Sequence, residues 1–269
     1  MWIVVTDLDG TLLNHDDYRW QAARPALDAL TQHGIPVVFC TSKTRAEVEQ
    51  LRRDTKNSSP FITENGGAVY LPALDFPQCG ESLPRVDGYL CIQLGTSYPT
   101  LVGSLQETAE VARCRVRGFA GASDEEVAAW CGFSVEEARV AKQREFDEPF
   151  LLLDGDGNAL SQAIRDRGLN TTRGGRLWHI LGDNDKGRAV AKLREAYAAE
   201  KGMAPRVVAL GDSPNDIPML QQADIAVCIP SPKLEEMMRV LPGALVATSD
   251  GASGWNETIL QLLATDLRT

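Results

Sequence analysis

The chain contains no apolar run that approaches the roughly 20 residues of a membrane-spanning helix, so we expect no membrane partner. It is also poor in positive charge: 27 lysines and arginines stand against 37 aspartates and glutamates, which gives a formal net charge of −10. Because a nucleic acid groove depends on clustered basic residues, we expect no nucleic acid partner. A small anionic substrate stays compatible with this balance, since a bound cation can reverse the field inside a cleft.

Cysteine and histidine are few, and neither forms a metal-binding pattern. The six cysteines include no CxxC pair, and Cys40, Cys91 and Cys228 lie in apolar runs, which favours buried free thiols in a reducing compartment. The three histidines lack the spacing of a zinc site. The first seven residues carry neither a basic region nor a cleavage site, so we expect no secretory signal and a cytoplasmic location.

Short apolar runs alternate with amphipathic helical patterns at both ends of the 269-residue chain. Continuous valine- and isoleucine-rich runs flanked by helices predict a parallel sheet that is buried on both faces. The pattern breaks near residues 72–87, where prolines and scattered charges indicate a linker, and it resumes with a helix predicted over 186–200. We therefore predict an α/β fold: a Rossmann-like open sheet formed by residues 1–83 and 183–269, with a smaller α+β domain inserted over 84–182.

Acidic side chains follow two of the predicted strands, at the edge where open α/β sheets bind ligands. Asp7 and Asp9 come directly after the first strand, and residues two apart on an extended segment point the same way. Asp212 and Asp216 follow the strand predicted over 206–210. Four carboxylates at one edge repel each other unless a cation lies among them, and an open site of oxygen ligands favours Mg²⁺. The sequence thus predicts a magnesium site at these four aspartates.

Each of the two aspartate pairs also has a purely structural interpretation. Asp7-Leu8-Asp9-Gly10 is compatible with an ordinary Asx turn, whereas a calcium loop is excluded because its twelfth position is Tyr18 and not glutamate. The segment from Gly211 to Asp216 is compatible with a turn that caps a helix, although a cap accounts for only one of its two aspartates.

Two further positions could bind a phosphate group. Thr41-Ser42-Lys43 follows the second predicted strand, where a hydroxyl and the free N–H groups of the next helix can bind phosphate, but Thr and Ser are also ordinary helix caps. Lys186 opens a helix against its macrodipole, either as a solvated side chain or as the partner of a phosphoryl group and nearby carboxylates.

In this order, four elements resemble the four motifs of the haloacid dehalogenase superfamily of phosphatases: Asp7–Thr11, Thr41, Lys186 and Gly211–Asp216. A domain inserted between the second and third motifs resembles that superfamily's type-2 cap. The resemblance implies an enzyme that hydrolyses phosphate monoesters through an aspartyl-phosphate. It implies that Asp7 is the nucleophile, that Asp9 is the general acid and base, and that Thr41 and Lys186 hold the phosphoryl oxygens. Mg²⁺ would be held by Asp7, the Leu8 carbonyl, Asp212 and Asp216.

Five segments further resemble the mannosyl-3-phosphoglycerate phosphatase family: Thr41–Arg45, Glu64–Gly67, Arg144–Glu148, Gly174-Gly175-Arg176 with His179, and Asp185–Val190. This resemblance implies a small phosphorylated sugar or glycerate as partner, dephosphorylated to mannosylglycerate. It implies substrate-binding roles for the following residues: Ser42, Lys43, Asn65, Arg144, Gly174, Gly175, Arg176 and His179.

The alternatives are a broad-range sugar-phosphate phosphatase, a glucosyl-3-phosphoglycerate phosphatase, and a binding module for phosphorylated sugars without catalysis. Within the inserted domain, a surface ion pair between Arg144 and Glu145, and a hydrogen-bonded strand histidine at His179, stay open as alternatives to substrate contacts.

Overall fold

The computed structural model describes residues 1–174 and 177–267. The strands of this part of the chain are β1 Trp2–Thr6, β2 Val37–Cys40, β3 Phe61–Thr63, β4 Ala68–Pro72, β5 Arg85–Val86, β6 Tyr89–Gln93, β7 Arg115–Gly118, β8 Asp147–Asp154, β9 Asn170–Gly174, β10 Leu177–Leu181, β11 Arg206–Gly211, β12 Ile225–Cys228 and β13 Leu245–Val246. The α-helices are α1 Arg24–Gln32, α2 Arg45–Thr55, α3 Tyr98–Val111, α4 Asp124–Cys131, α5 Val135–Ala141, α6 Gly157–Arg165, α7 Lys186–Lys201, α8 Ile217–Gln221, α9 Leu234–Val240 and α10 Gly251–Thr265.

The larger sheet has nine strands in the order β13-β12-β11-β1-β2-β3-β4-β6-β5. Every pair from β13 to β3 is parallel, which confirms the predicted α/β core. The remaining pairs are antiparallel, so the sheet is mixed and not parallel throughout. The reason is the short connection between β3 and β4, residues 64–67, since a parallel return needs a crossover of a dozen or more residues.

Strands β5 and β6 belong to this larger sheet, although the sequence pattern assigns residues 84–94 to the insertion. They form a hairpin whose two turn residues, Asp87 and Gly88, both have positive φ, at 48° and 87°. Asp-Gly is the sequence preferred for such a turn. The insertion therefore contributes an antiparallel edge to the core sheet before its own domain begins.

Side chains that alternate along the central strands pack against helices on both faces of the larger sheet. Trp2 and Val4 of β1 pack with α1 and α10 on one face, while Ile3 and Val5 pack with α7 on the other. The predicted linker over 72–87 is part of this packing, because Phe76 is buried with its ring centroid 5.1 Å from that of Tyr197. The segment is thus anchored to the core.

The smaller sheet is antiparallel, in the order β7-β8-β10-β9. Helices α3 and α6 cover one face with an apolar cluster that includes Leu101, Phe150 and Ile164. Helices α4 and α5 form a separate cluster around Phe119. This α+β unit lies between β6 and α7 in sequence, as an inserted domain requires.

Two sequence-based expectations concern the chain as a whole. Cys40, Cys91 and Cys228 are buried free thiols, as predicted. None of the helices in residues 1–174 and 177–267 combines the length and the apolar character needed to cross a bilayer.

Candidate active site

The site forms where β1 and β11 end side by side. These strands are parallel neighbours, so the residues that follow them, Asp7 and Asp212, meet at one edge of the sheet. Gly10 lies between them with φ of +80°, and a Cβ there would come within 2.6 Å of Asp212 Oδ2. Glycine is required here both for the backbone conformation and for the close approach of the second loop.

Lys186 joins the two acidic loops. Its Nζ donates to Asp7 Oδ1 at 2.6 Å and to Asp216 Oδ1 at 2.6 Å, and all three side chains are buried. The other carboxylate oxygen of Asp216 accepts from the backbone N–H groups of Asp212 and Ser213, both at 3.1 Å. Asp216 therefore fixes the loop after β11 and the lysine at once. The solvated alternative for Lys186 is excluded by this burial.

The electrostatics of the cluster reflect crowded carboxylates in a dry place. Burial and the neighbouring Asp216 raise the pKa of Asp7 well above its usual value. Burial and Asp216 likewise raise the pKa of Asp212 to about 7. Burial acts against the charge of Lys186, but Asp216 and Asp7 outweigh it and raise the pKa of the ammonium group. Ionising all of these carboxyl groups would thus give the site more negative charge than the lysine compensates.

These residues fit a divalent metal ion. Asp7, Asp212 and Asp216 each offer a carboxylate oxygen, and these oxygens lie within 4.8 Å of one another. When all three carboxylates are ionised, they carry two more negative charges than Lys186 compensates, which matches the charge of Mg²⁺. An all-oxygen set of a few carboxylates is the donor chemistry that Mg²⁺ prefers.

Asp9 stands apart from that cluster and faces Lys43. The Lys43 ammonium lies 3.1 Å from Asp9 Oδ1 and 3.7 Å from Glu47 Oε1. Burial acts against the charge of Lys43, but Asp9 and Glu47 raise its pKa above the usual range. Asp9 is therefore placed beside the site as an ion-paired carboxylate, and its predicted share in metal binding stays a prediction.

The loop after β2 brings a hydroxyl and a cation to the same edge. Thr41 is buried, and its Oγ1 accepts from the Lys43 backbone N–H at 3.2 Å, which leaves the hydroxyl proton free to donate. Thr44, and not Thr41 or Ser42, caps α2, in a capping box with Glu47. The helix-cap alternative therefore does not account for Thr41.

The inserted domain reaches the site through Asn65. This residue has φ of 56°, and its amide donates to Asp147 Oδ2 at 2.9 Å, while its own Oδ1 accepts from Asn215 Nδ2 at 3.2 Å. Asp147 also contacts His179 Nδ1 at 2.9 Å. Burial alone would raise the pKa of Asp147, but His179 and Arg144 lower it. His179 is thus hydrogen-bonded within the sheet. This is the alternative to a substrate contact that the sequence left open for this residue.

Arg144 and Glu145 do not pair with each other. Arg144 Nη1 donates to the Ser42 carbonyl at 2.8 Å, so it ties the inserted domain to the loop after β2. Glu145 instead accepts from the Tyr70 hydroxyl at 2.6 Å. The surface ion pair is therefore the wrong alternative for these residues.

Gly174 lies at the end of β9, opposite Leu177 of β10. The predicted site residues Gly175 and Arg176 lie outside the described residues, so their roles stay predictions.

Sequence reasoning missed two buried carboxylates between the domains. Asp147 is one, and Glu64 is the other: its oxygens accept from the backbone N–H groups of Glu145 at 3.0 Å and Phe146 at 2.8 Å. The available signal was their position, since both lie in segments of the closer resemblance and both stand beside apolar strands. A charged residue directly after a buried strand, as Glu64 is, or at the start of one, as Asp147 is, needs a partner, and here the partner comes from the other domain.

A family model described as haloacid dehalogenase-like hydrolase matches residues 4–75 and 160–232. The chain is 41% identical over 266 residues to the glucosyl-3-phosphoglycerate/mannosyl-3-phosphoglycerate phosphatase of Methanococcoides burtonii, covering 97% of each chain. It is 36% identical to the protein of the same name from Persephonella marina, again over 97% of each. Among solved structures, the sucrose-phosphatase of Synechocystis superposes with a TM-score of 0.63 at 16% identity, covering 97% of each chain, which shows a shared fold.

Proposed function

Because the chain belongs to the haloacid dehalogenase-like hydrolases, we propose that it is a Mg²⁺-dependent phosphatase of glycosyl-3-phosphoglycerates. Both relatives described above are named for the glucosyl and the mannosyl substrate, which supports this substrate class. Mannosyl-3-phosphoglycerate, converted to mannosylglycerate, is the substrate we propose first, and glucosyl-3-phosphoglycerate is the second.

One observation carries the proposal: the buried ammonium of Lys186 lies 2.6 Å from both Asp7 and Asp216, beside Asp212. A pure binding site does not need a carboxylate held next to a buried ammonium at a strand end. A nucleophilic carboxylate needs this arrangement, since incoming phosphate oxygens are negative and would otherwise repel it.

Mg²⁺ bound by Asp7, Asp212 and Asp216 would neutralise the phosphoryl oxygens and keep Asp7 ionised. Asp7 attacks phosphorus, and the bond from phosphorus to the ester oxygen breaks as the new bond to the Asp7 carboxylate forms. Asp9 is ion-paired with Lys43 in the free protein, so it first takes up a proton from water and then gives that proton to the departing oxygen. A water molecule then attacks the phosphoaspartate, returns a proton to Asp9 and releases inorganic phosphate with Asp7 restored.

Thr41 and Lys186 act on the phosphoryl group during both steps. The free hydroxyl proton of Thr41 can donate to one phosphoryl oxygen, and Lys186 holds the nucleophile in one orientation while offering positive charge. Lys43 is the cation closest to Asp9, so a substrate carboxylate bound at Lys43 would compete for that partner and free Asp9 for proton transfer.

The domain division belongs to the same proposal. Residues 1–83 and 183–269 would form the catalytic core and residues 84–182 the insertion that covers it, with β5 and β6 returning to the core sheet. The core and the insertion meet at Ser42, Asn65, Arg144 and His179. There these residues could bind the part of the substrate that lies beyond its phosphate.

Phosphate release from a panel of monoesters tests the proposal. We expect both glycosyl-3-phosphoglycerates to be preferred over mannose 6-phosphate and 3-phosphoglycerate, with release abolished by chelation and restored by Mg²⁺. Asp7→Asn should lower kcat by roughly 10³-fold or more, whereas the exposed control Asp16→Asn should not. Calorimetric titration with MgCl₂ gives a second readout, because Asp212→Asn should weaken binding of the ion itself.

Unchanged turnover by Asp7→Asn would exclude the assigned nucleophile. Equal hydrolysis of mannose 6-phosphate would exclude the substrate class and leave a broad-range sugar-phosphate phosphatase.

A further inference from the structure

A cavity of about 270 Å³ adjoins the carboxylate cluster, between the loops of the larger sheet and β9, the edge strand of the smaller sheet. Lys186, whose ammonium binds Asp7, forms part of its wall. The other polar side chains of the wall are mainly neutral amides and hydroxyls: Asn65, Asn170, Thr171, Thr172, Asn184 and Asn215. A concave space with several converging hydrogen-bonding groups is the usual form of a small-molecule site.

The charged side chains of the cavity wall are already bound to other groups of the protein. Lys186 is held by Asp7 and Asp216, and Asp185 accepts from the Arg188 backbone N–H at 2.8 Å as the cap of α7. Asp183 pairs with the Arg188 side chain at 2.5 Å. Within the described residues the wall therefore offers no unpaired cation to an anion. Amides and hydroxyls, which both donate and accept, are suited to a neutral polyol.

The strand register adds a directional group beside the cavity. Thr172 lies directly opposite His179 of β10, so their side chains lie on the same face of the smaller sheet. Asp147 contacts Nδ1 of His179 and thereby fixes the orientation of the imidazole ring. Thr172 is half-buried, whereas the adjacent Thr171 lies opposite Ile180, on the face of the sheet that α3 and α6 cover. The Thr172 hydroxyl and the oriented His179 ring thus lie together on the other face of the sheet, beside the cavity.

We propose that this cavity binds the sugar ring of the substrate through its hydroxyl groups, with Thr172 as a specificity-determining residue. The inference rests on the proposed function for the identity of the sugar, which would be the glycosyl group attached to 3-phosphoglycerate. The shared wall at Lys186 places the ring next to the phosphate bound at Asp7. The carboxylate of the glycerate then lies nearer to Lys43, on the cationic side of the site.

Thr172→Val tests the sugar site, because valine keeps the shape and the strand preference of threonine and removes only the hydroxyl. It should raise KM for glycosyl-3-phosphoglycerates roughly threefold to tenfold, the cost of one hydrogen bond, with kcat nearly unchanged. Hydrolysis of 4-nitrophenyl phosphate, which has no sugar, should be unaffected. Thr31→Val, at an exposed position of α1, is the control.

Binding separates this inference from the proposed function. Mannosylglycerate and glucosylglycerate, which lack the phosphate, should bind to the wild type in a calorimetric titration and more weakly to Thr172→Val. If they bind in this manner while no phosphate monoester is hydrolysed, the function is wrong and the sugar site stands. If hydrolysis proceeds but Thr172→Val leaves KM for the glycosylated substrates unchanged, or changes it equally for 4-nitrophenyl phosphate, the sugar site is wrong.

Discussion

Lys186 shows how a single residue can be locally unfavourable and still be required. An ammonium in the first turn of α7 opposes the helix macrodipole, and burial opposes its charge as well. Asp7 and Asp216 overcome both effects at 2.6 Å. The sequence could show the unfavourable position of the lysine, but not its cause, because the two aspartates lie 179 and 30 residues away along the chain.

Lys186→Met should lower kcat for phosphate release by roughly 10²–10³-fold, since it removes one preorganised positive group that stabilises the transition state. Methionine retains most of the length of the side chain, so packing is largely kept. The control is Lys192→Met, because Lys192 lies on the same helix but its exposed ammonium pairs only with Glu195 among the described residues. A Lys186→Met enzyme with more than a tenth of wild-type kcat would contradict the role.

Asp9→Asn should reduce the hydrolysis of glycosyl-3-phosphoglycerates more than that of 4-nitrophenyl phosphate. An alkoxide leaves poorly without a proton, whereas a nitrophenolate does not need one, so the loss should be roughly 10²–10⁴-fold for the first and far smaller for the second. Measured kcat values for both esters give the comparison. Equal losses would mean that Asp9 acts by charge or position and not as an acid.

At the scale of strands and helices, the predictable part of the site is the part that follows from the ends of parallel strands. Asp7, Thr41 and Asp212 each follow a buried run of apolar residues, and parallel pairing of β11, β1 and β2 brings them together. The order of the strands was not needed for this inference, because every such strand end lies on the same edge.

The unpredicted part lies where the two domains touch. Strand β8 begins at Asp147, a carboxylate that a buried strand would not accept on local grounds, because Asn65 and His179 from distant segments stabilise it. The hairpin of β5 and β6 was likewise assigned to the insertion, since nothing local shows that β6 pairs with β4. Pairing between distant strands is decided by tertiary contacts that residue periodicity does not contain.

Asp147→Ala should destabilise the junction between the two sheets by about 2–4 kcal/mol, because it leaves the buried Asn65 amide and the His179 ring without their shared partner. Urea unfolding measures the loss, and amide hydrogen exchange should be faster along β8 and β10. Asp154→Ala, at the exposed end of the same strand, should cost less than about 0.5 kcal/mol. Equal exchange rates along β8 and β10 in the two variants would show that Asp147 does not stabilise the junction between the two sheets.

At the scale of the whole molecule, the chain is strongly acidic outside and holds several carboxyl groups that are too buried to ionise easily. Burial raises the pKa of Glu64 to about 8 and that of Glu148 to about 7, and burial with Asp216 does the same for Asp212 at about 7. Only Asp212 belongs to the carboxylate cluster. The other two lie in the contacts of the inserted domain, where backbone N–H groups approach them.

These shifts predict how stability depends on pH when no metal ion is bound. Between about pH 4.5 and pH 8 the folded chain keeps protons on Glu64 and Glu148 that the unfolded chain has lost, so the free energy of unfolding falls as the pH rises through this window. Asp147 has the opposite sign, because its pKa is lowered, and its contribution is lost only at pH values below this window. In chelator, the decrease from pH 5 to pH 8 should amount to about 2–5 kcal/mol.

Glu64→Gln isolates one group in that dependence, because glutamine keeps an oxygen that can accept from Glu145 and Phe146 but has no proton to lose. Urea unfolding from pH 5 to pH 8 in chelator should show a smaller decrease for this variant than for the wild type, while the exposed control Glu235→Gln should follow the wild type. Mg²⁺ should flatten the wild-type dependence only in part, since it can bind the carboxylate cluster but not Glu64. A wild type whose stability rises across this window would show that Glu64 is ionised in the folded chain, and would exclude burial as the factor that sets its pKa.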